Sequence, residues 1–570
     1  MKKSIFSIAI VALVGSMMFT GCKKDSEVVR LKAQIERVGG DSKVWLNEND
    51  APQFFQSGEY VKINDNDPLE IQYSNGVFTL TPDAADDYYA VYPASIVTDE
   101  AITSNTVGIK LPHLQNYAYV VDADDNQIQK INLPSGAVSS GSTLRFYNLC
   151  SLIEVQCTIP TNATGTYTIS SIEVTAKDKG LWGEGTATLD GTSSSINIPY
   201  NGHNSRVVLE IPNATAISAG QSTGKYYIVV PPYDGTADFT VKVRFNQGSS
   251  SFTATKTGAV LERNIIVELN RTQAPTEDNE VSGYFTIKRP NSNGTGGMKV
   301  VFSKGNVQKD NGAWKFADHQ YDYFGSKNIA SSAGYNYFNL SNTVDLFSWP
   351  INGRNYGSEN FQDDLDHYFE SYNQVVFNDW GNLFSGDWFT LSKDEWTVLT
   401  SRTSTDQQDL QAKVIITGVT GHPSVSSGSV DVKGLVLLPD DWTAEDVPSG
   451  LEDYFHTGPN YVNTLTVAQW ARLEAAGAVF LPAAGFRMVE GGYYQEFETG
   501  GEQYEEGHYW SCSLASSDPD YGGEAYYVRF KNTTLAFPIK GGNNDDDDCC
   551  PYGKSVRLVK PAPGYTINNR

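Results

Sequence analysis

The chain has 570 residues, of which 40% are hydrophobic, so it is expected to form more than one core and to fold as two to four domains. Its formal net charge is −25 at pH 7, and no stretch of the sequence is strongly basic. This acidic balance argues against nucleic acid and anionic membrane surfaces as partners.

Residues 1–21 are predicted to be a lipoprotein signal peptide. Two lysines precede an apolar run from 5 to 19, which is too short, and wrongly flanked, for a membrane-spanning helix. Phe19-Thr20-Gly21-Cys22 resembles the lipobox of bacterial lipoproteins, although Phe19 stands where leucine is usual. The resemblance implies a diacylated Cys22 and attachment to the membrane by acyl chains alone. Lys23–Glu27 resembles the short export tag that sends some lipoproteins to the outer face of the outer membrane, which implies exposure on the cell surface. An ordinary secretory signal is the alternative.

Residues 22–42 are predicted to hold the lipidated N-terminus, a first strand and a linker. From 43 to 270, short alternating apolar stretches separated by turn residues predict β-strands; Phe239–Phe245, for example, alternates strictly and indicates a half-buried strand. The spacing of these stretches predicts two tandem β-sandwiches, over 43–157 and 158–270.

A polar, proline-containing segment, 271–282, is predicted to be a linker. Eight of the ten tryptophans follow residue 283, which indicates a different kind of domain over 283–562, with a tail at 563–570. Ser392–Glu395 and Thr466–Gln469 each match a capping box and predict two helices in an α+β domain.

Five short stretches of the first half occur in one order along the chain: Lys43–Trp45, Tyr88–Pro93, Ile109–Pro112, Phe146–Leu149 and Tyr227–Pro232. In these stretches the first half resembles the fimbrillin family of fimbrial subunits. The resemblance implies two transthyretin-like β-sandwiches, and assembly with other fimbrial subunits in which a protease removes the first strand and a neighbour's strand fills the groove. Family processing follows an arginine, so Arg30 and Arg37 are the candidates. An uncut first strand, as in a subunit that ends a fibre or stays anchored, is the alternative.

A second set of motifs runs through the C-terminal half and includes Val301–Asn306, Trp314–Ala317, Asp379–Gly381, Gly434–Pro439, Gly477–Gly485 and Gly507–Ser511. In these motifs the second half resembles a C-terminal domain that recurs in bacterial surface lipoproteins and has a fold akin to C-type lectins. The resemblance implies a fold and does not identify a ligand.

Four tryptophans in polar loops are candidate ligand-binding residues: Trp349, Trp380, Trp388 and Trp442. An aromatic ring beside amide and carboxylate groups can stack on a sugar while its neighbours bind the hydroxyls. The alternative, which the motifs favour, is that these rings pin long loops to the domain.

Calcium is the one candidate cofactor. Its candidate ligands are the consecutive carboxylates Asp545, Asp546, Asp547 and Asp548, because Ca²⁺ prefers oxygen ligands. The favoured alternative is that this acidic run is a solvated loop tip.

The cysteines allow few disulfide pairings. Cys512 is predicted to pair with Cys549 or Cys550. Cys150 and Cys157 could pair only across a turn, since they lie about 23 Å apart on an extended strand.

These features predict a non-enzymatic surface adhesin, an accessory or tip subunit of a fimbria, whose lectin-like domain binds a host or bacterial glycan or protein. A fimbrial anchor or assembly protein with a purely structural C-terminal domain is the second hypothesis. A surface glycan-processing enzyme is the third hypothesis, because a fold related to the C-type lectin fold also occurs in a formylglycine-generating enzyme group. That group needs reactive cysteines or metal ligands at particular places, and Cys512 alone supports it here.

Overall fold

The structure is a computed structural model that describes residues 29–569 apart from seventeen gaps. These are 36–58, 75–76, 122–126, 213, 247–249, 292–295, 333–334, 339–342, 351–376, 405–407, 444–445, 448–449, 453–454, 487–505, 517–523, 532–538 and 541–551. The chain is mainly β, as predicted. Within the described ranges, neither α-helix has the length and apolar character needed to cross a bilayer.

The N-terminal β-domain, residues 29–148, is built on an eight-stranded sheet in the order β3-β2-β6-β11-β12-β1-β5-β4. Its core contains the inward side chains of these strands, among them Leu31, Val61, Leu80 and Phe146. The strands of this part are β1 (Leu31–Ile35), β2 (Tyr60–Ile63), β3 (Leu69–Glu70), β4 (Gln72–Ser74), β5 (Val77–Leu80), β6 (Tyr88–Tyr92), β7 (Thr106–Leu111), β8 (Leu114–Asn116), β9 (Ala118–Val121), β10 (Gln127–Lys130), β11 (Ser135–Ser139) and β12 (Thr143–Asn148).

The middle β-domain, residues 149–277, is a sandwich. A six-stranded sheet, β24-β22-β21-β15-β18-β8, packs on a three-stranded sheet, β20-β13-β23, and one apolar core lies between them. Its strands are β13 (Ser151–Thr158), β14 (Thr166–Tyr167), β15 (Ile169–Ala176), β16 (Gly183–Thr188), β17 (Ser195–Asn197), β18 (Arg206–Glu210), β19 (Ile217–Ser218), β20 (Tyr226–Val230), β21 (Ala237–Phe245), β22 (Ser250–Ala259), β23 (Ile266–Thr272) and β24 (Thr276–Glu277).

The boundary between these two domains differs from the predicted one at residues 157 and 158. Strand β13 pairs with β20 and β23, and its Ile153 and Val155 belong to the core of the middle domain. The domain therefore begins before Ser151. In addition, β7 pairs with β16 and β8 pairs with β18, so the preceding segment contributes strands to the middle domain's sheets. Neither connection is visible in sequence periodicity, because both pairings are long-range.

The C-terminal domain, residues 283–562, combines several small sheets with two short helices. Its strands are β25 (Phe285–Lys288), β26 (Met298–Phe302), β27 (Val307–Asp310), β28 (Ala313–Phe316), β29 (Ile329–Ser332), β30 (Tyr335–Phe338), β31 (Thr343–Val344), β32 (Phe389–Thr390), β33 (Gln411–Thr420), β34 (Ser429–Leu437), β35 (Gly458–Thr466), β36 (Val479–Pro482), β37 (Glu506–Ser516), β38 (Glu524–Lys531), β39 (Ile539–Lys540) and β40 (Leu558–Pro561). The first and last strands of the domain lie in one sheet, β25-β26-β40-β32, which closes the domain on itself.

Both predicted helices are confirmed, with their capping boxes. Helix α1 (Lys393–Thr400) is capped by Ser392 and Glu395, and α2 (Val467–Ala475) by Thr466 and Gln469. After α2, Gly477 has a φ of +100°, a conformation that glycine adopts without a steric penalty.

Candidate functional site

Strand β1 occupies the interior of the N-terminal sheet. It runs parallel to β12, with Ala33 opposite Leu144, and antiparallel to β5, with Leu31 opposite Leu80. Leu31 and Ala33 are buried in the domain core, whereas Arg30, immediately before the strand, is exposed. Cleavage after Arg30 would leave β1 in place, whereas cleavage after Arg37 would release it. Arg37 itself lies outside the described residues.

A buried cluster of charges joins the middle domain to the C-terminal domain, and it is centred on Glu173 of β15. Arg244 Nη1, Ser282 Oγ and Tyr284 Oη donate hydrogen bonds to its carboxylate, at 3.1, 2.9 and 2.8 Å. Burial by itself raises the pKa of Glu173, but the positive charges of Arg244, Arg206 and Lys242 outweigh it and lower the pKa to about 2. The group is therefore a carboxylate at neutral pH.

Arg206 extends this cluster into the C-terminal domain. Its side chain is fully buried; Nε donates to Asp441 Oδ2 at 2.7 Å and Nη2 donates to the carbonyl oxygen of Ala476 at 3.3 Å. The same guanidinium lies 3.6 Å from Glu173. Separating the two domains at this point would leave a buried charge without its partner, which is unfavourable, so Arg206 contributes to holding them together.

Further polar contacts occur outside the Glu173–Arg206 cluster. His113 Nε2 is 3.0 Å from Asp446 Oδ1, and Lys299 Nζ donates to the carbonyl oxygen of Gly202 at 2.5 Å. The predicted tail also takes part, since Lys177 Nζ donates to the carbonyl oxygen of Gly564 at 2.8 Å. Polar contacts therefore link the two domains at several separate points.

The segment 271–282 connects the two domains, but it is not the solvated linker that its composition predicts. Asp278 is buried and accepts hydrogen bonds from Lys242 at 2.8 Å and Arg244 at 3.2 Å. Glu280 accepts from Lys242 at 2.9 Å and pairs with Lys560. Burial raises the pKa of Glu280, but these two lysines reverse the effect and lower it to about 2.

The sequence did not predict this cluster, because its cations occupy the polar positions of a strand in which polar and apolar residues alternate. In β21, Lys242 and Arg244 alternate with Val241, Val243 and Phe245, which predicts solvent exposure for the two cations. In the structure both faces of the end of β21 are buried, since charged residues from the connecting segment cover the polar face. Alternation identifies the two faces of a strand but not what covers them.

The four tryptophans proposed as a ligand platform are buried, with between 0% and 8% of their surface exposed. Trp349 Nε1 donates to the carbonyl oxygen of Ser511 at 2.8 Å, and Trp442 packs near Phe455. Trp380 and Trp388 belong to the same apolar cluster as Trp349. The platform hypothesis is wrong for these residues, and the alternative, that they pin loops to the domain, agrees with the structure.

The remaining predicted sites fall partly or wholly in the gaps. The candidate calcium ligands Asp545–Asp548, together with Cys549 and Cys550, lie outside the described residues, so the pairing of Cys512 stays a prediction. Cys150 and Cys157 are buried free thiols. Among the described residues, no group of three or more His, Cys, Asp or Glu side chains is arranged to hold a metal ion.

A cavity of about 480 Å³ lies where the N-terminal and middle domains meet, and we call it the junction cavity. It is bounded by the turn at 93–96, the end of β7, strand β8, strand β10 and one edge of β20. It was not predicted from the sequence, because its walls come from segments that are far apart along the chain.

Two glutamines bind the outer edge of β20 as a neighbouring strand would. The Gln115 amide donates to the carbonyl oxygen of Val229 at 2.7 Å and accepts from its N–H at 3.0 Å. Gln129 makes the same pair with Tyr227, at 2.9 and 2.8 Å. A primary amide carries the same donor and acceptor as a peptide group, so these side chains satisfy the strand edge and fix two walls of the junction cavity.

No protein-family model matches this chain, and no curated protein matches it. The solved structures similar to it include one described as a "putative cell adhesion protein" from Bacteroides uniformis, with 12% identity, covering 45% of this chain and 96% of that one, at a TM-score of 0.27. A fimbrial protein from Bacteroides vulgatus is 9% identical; the match covers 43% of this chain and 98% of that one, at a TM-score of 0.21. A fimbrial protein from Bacteroides ovatus is also 9% identical; the match covers 93% of this chain and 98% of that one, at a TM-score of 0.19. TM-scores this low support no conclusion about the function of this chain.

Proposed function

We propose that this chain is a non-enzymatic, surface-exposed fimbrial or fimbria-associated adhesin, an accessory or tip subunit that joins other subunits by strand exchange at the β1 position. The observation that carries the proposal is the place of β1 inside a sheet, where it is paired on both sides, with β12 and with β5. In this proposal, acyl chains on Cys22 tether the protein to the outer membrane before assembly.

The physical basis is that removing β1 would leave two unpaired strand edges and an open apolar slot. The slot holds Leu31 and Ala33, and burying a leucine side chain alone contributes about 1.5–3 kcal/mol. An incoming strand with apolar residues at alternate positions would restore both the main-chain hydrogen bonds and the core. Once β1 has been removed, insertion of a neighbour's strand into the emptied slot is therefore favourable.

The C-terminal domain serves in this proposal as a display domain for a host or bacterial glycan or protein. Its contacts with the middle domain, centred on Glu173 and Arg206, support a fixed orientation rather than a freely moving head. A C-terminal domain held in this orientation would pass a pulling force on its ligand directly to the fibre. A lectin-like activity of this domain stays a prediction.

A fimbrial anchor or assembly protein is the second candidate function. The observation that favours it is the burial of all four candidate ligand-binding tryptophans, which removes the aromatic platform expected of a glycan-binding head. Pull-down of fimbrial subunits by the surface form, without binding to a glycan or host-matrix array, would select this function over the adhesin.

The test of strand exchange compares arginine variants in the native surface form. We expect the N-terminus of fimbria-associated chains to be residue 38, Arg37→Ala to abolish incorporation into sheared fimbriae, and Arg30→Ala to leave incorporation unchanged. Chains that enter fimbriae with an intact, acylated Cys22 would contradict strand exchange and support an anchor.

A peptide experiment tests the same site in vitro. We expect a peptide of residues 29–36 to bind a chain that begins at residue 38, as measured by fluorescence anisotropy. Ala33→Asp in the peptide places a charge in the core and should abolish binding, whereas Gln34→Asp, at an exposed position, serves as the matched control. Equal binding of the two variant peptides would refute insertion in the observed register.

A further inference from the structure

Strand β1 is held in the N-terminal sheet by contacts with residues that come much later in the chain. Its main chain pairs with β12 over Lys32–Ile35 and with β5 over Leu31–Ala33. The Lys32 N–H also donates to the carbonyl oxygen of Ser142 at 2.9 Å. None of these contacts involves the chain that directly follows β1, so none depends on the peptide bond after Arg37.

The side chains of β1 add an apolar contribution to this pairing. Leu31 is fully buried and Ala33 is 5% exposed, and both belong to the same core as Leu80 and Phe146. If β1 left, two strand edges would lose their hydrogen bonds and an apolar slot would open to water, and both changes are unfavourable. A cut after Arg37 leaves both costs in place. It changes β1 from a segment of the fold into a bound peptide with the same contacts.

The membrane anchor of the proposed function lies on the same side of this cut as β1. Leu31 follows Cys22 by nine residues. Because an extended chain spans at most about 3.3–3.6 Å per residue, β1 lies within about 30 Å of an acylated Cys22. A cut after Arg37 therefore leaves the acyl chains and β1 together on one fragment, residues 22–37. Among the described residues, what then joins this fragment to the rest of the chain is noncovalent, namely the pairing and burial of β1.

We propose that cleavage after Arg37 does not release this chain from the membrane, and that the acylated fragment 22–37 stays in the slot as a noncovalent tether until a strand from another subunit displaces it. The inference rests on the proposed function and adds the order of its events, which is cleavage, displacement and then release. Loss of the anchor and entry into the fibre become one step. No chain then leaves the surface with two unpaired strand edges, which are sites of unwanted association.

Cleavage after Arg30 has the opposite result, although Arg30 lies only seven residues from Arg37. This cut separates Cys22 from β1, so the chain leaves the membrane while β1 remains both paired and covalently attached. Such a chain has no slot for another strand. The two cuts therefore differ both in membrane release and in competence for assembly, and each serves as the control for the other.

The first test follows the fragment in solution. The mature chain, residues 22–570 with Cys22→Ser, receives a viral protease site after Arg37. After complete cleavage, gel filtration and native mass spectrometry should find the two parts as one complex. Ala33→Asp should speed dissociation of the fragment on dilution at least about tenfold, because it places a charge in the core. Gln34→Asp, at an exposed position, is the matched control, and thermal unfolding before cleavage verifies the fold of both variants.

The second test uses the acylated chain in isolated outer membranes. After cleavage at the site behind Arg37, the part that begins at residue 38 should still sediment with the membranes. An excess of an unacylated peptide of residues 29–36 should then move it into the supernatant, whereas the same peptide with Ala33→Asp should not. With the protease site placed after Arg30 instead, cleavage alone should release the chain.

The inference is overturned if the two parts separate on cleavage after Arg37, or if the chain leaves the membranes before any peptide is added. It is also overturned if the chain stays on the membranes after cleavage behind Arg30, since a tether other than β1 then holds it. These results are distinct from a failure of strand exchange. A released chain that binds the added peptide would overturn the tether and leave strand exchange standing, whereas a retained fragment that no excess of peptide displaces would contradict strand exchange itself.

Discussion

Replacing Arg206 by methionine is the sharpest test of the interface between the middle and C-terminal domains. The substitution keeps an apolar stem of similar length and removes a fully buried charge. Asp441 would lose the guanidinium 2.7 Å away, and Ala476 would lose a hydrogen bond to its carbonyl oxygen. Glu173 keeps its contacts with Arg244 and Tyr284, so most of the damage falls on Asp441.

The expected cost is about 3–5 kcal/mol, the usual effect of removing one partner from a buried ion pair and leaving the other uncompensated. A double variant, Arg206→Met with Asp441→Leu, removes both charges and should recover most of that loss, because a well-packed apolar pair is close to neutral in such sites. Lys315→Met breaks an exposed pair with Asp318 and should cost at most about 1 kcal/mol, which makes it the matched control.

Urea unfolding gives the free energies, and limited proteolysis localises the change. In the unaltered protein the segment 271–282 should resist cleavage, since Asp278 and Glu280 are held by Lys242. In Arg206→Met the segment should be cut and release a C-terminal fragment. Unfolding of Arg206→Met at the same urea concentration as the unaltered protein, or a double variant no more stable than the single one, would refute the proposed role of the pair.

Three other predictions concern the buried groups. In the folded protein the pKa values of Glu173 and Glu280 are both lowered to about 2 from an ordinary value of 4.5. The two carboxylates therefore stabilise the fold at any pH above 4.5, and this stabilisation is lost as the pH falls from about 4.5 to about 2. The free energy of unfolding, measured across this pH range, should show the loss. Burial raises the pKa of the Cys150 thiol, and that of Cys157 to about 12, so neither should react with iodoacetamide at pH 8 until the chain is unfolded; labelling of either in the native protein would contradict their burial. Gly477→Ala should destabilise the chain by more than about 1 kcal/mol, since φ is +100° and a Cβ would lie 2.7 Å from neighbouring backbone; urea unfolding equal to that of the unaltered protein would refute this.

Local signals in the sequence predicted the local structure well. The capping boxes at Ser392 and Thr466 predicted both helices, because a cap depends on residues only three positions apart. Alternation predicted a mainly β chain and located strands such as β21. The motifs around Trp380 favoured a structural role, and Asp379 caps the short helix at Trp380–Leu383.

The tertiary structure decided what covers each polar or aromatic face. Lys242 and Arg244 have the sequence pattern of solvated residues, yet carboxylates from a segment more than thirty positions away bury them. The loop tryptophans are buried, and the junction cavity is formed by strands that the sequence assigns to separate units. Periodicity along the chain specifies which side chains share a face, whereas burial and charge pairing depend on contacts between distant segments, which form only when the domains pack together.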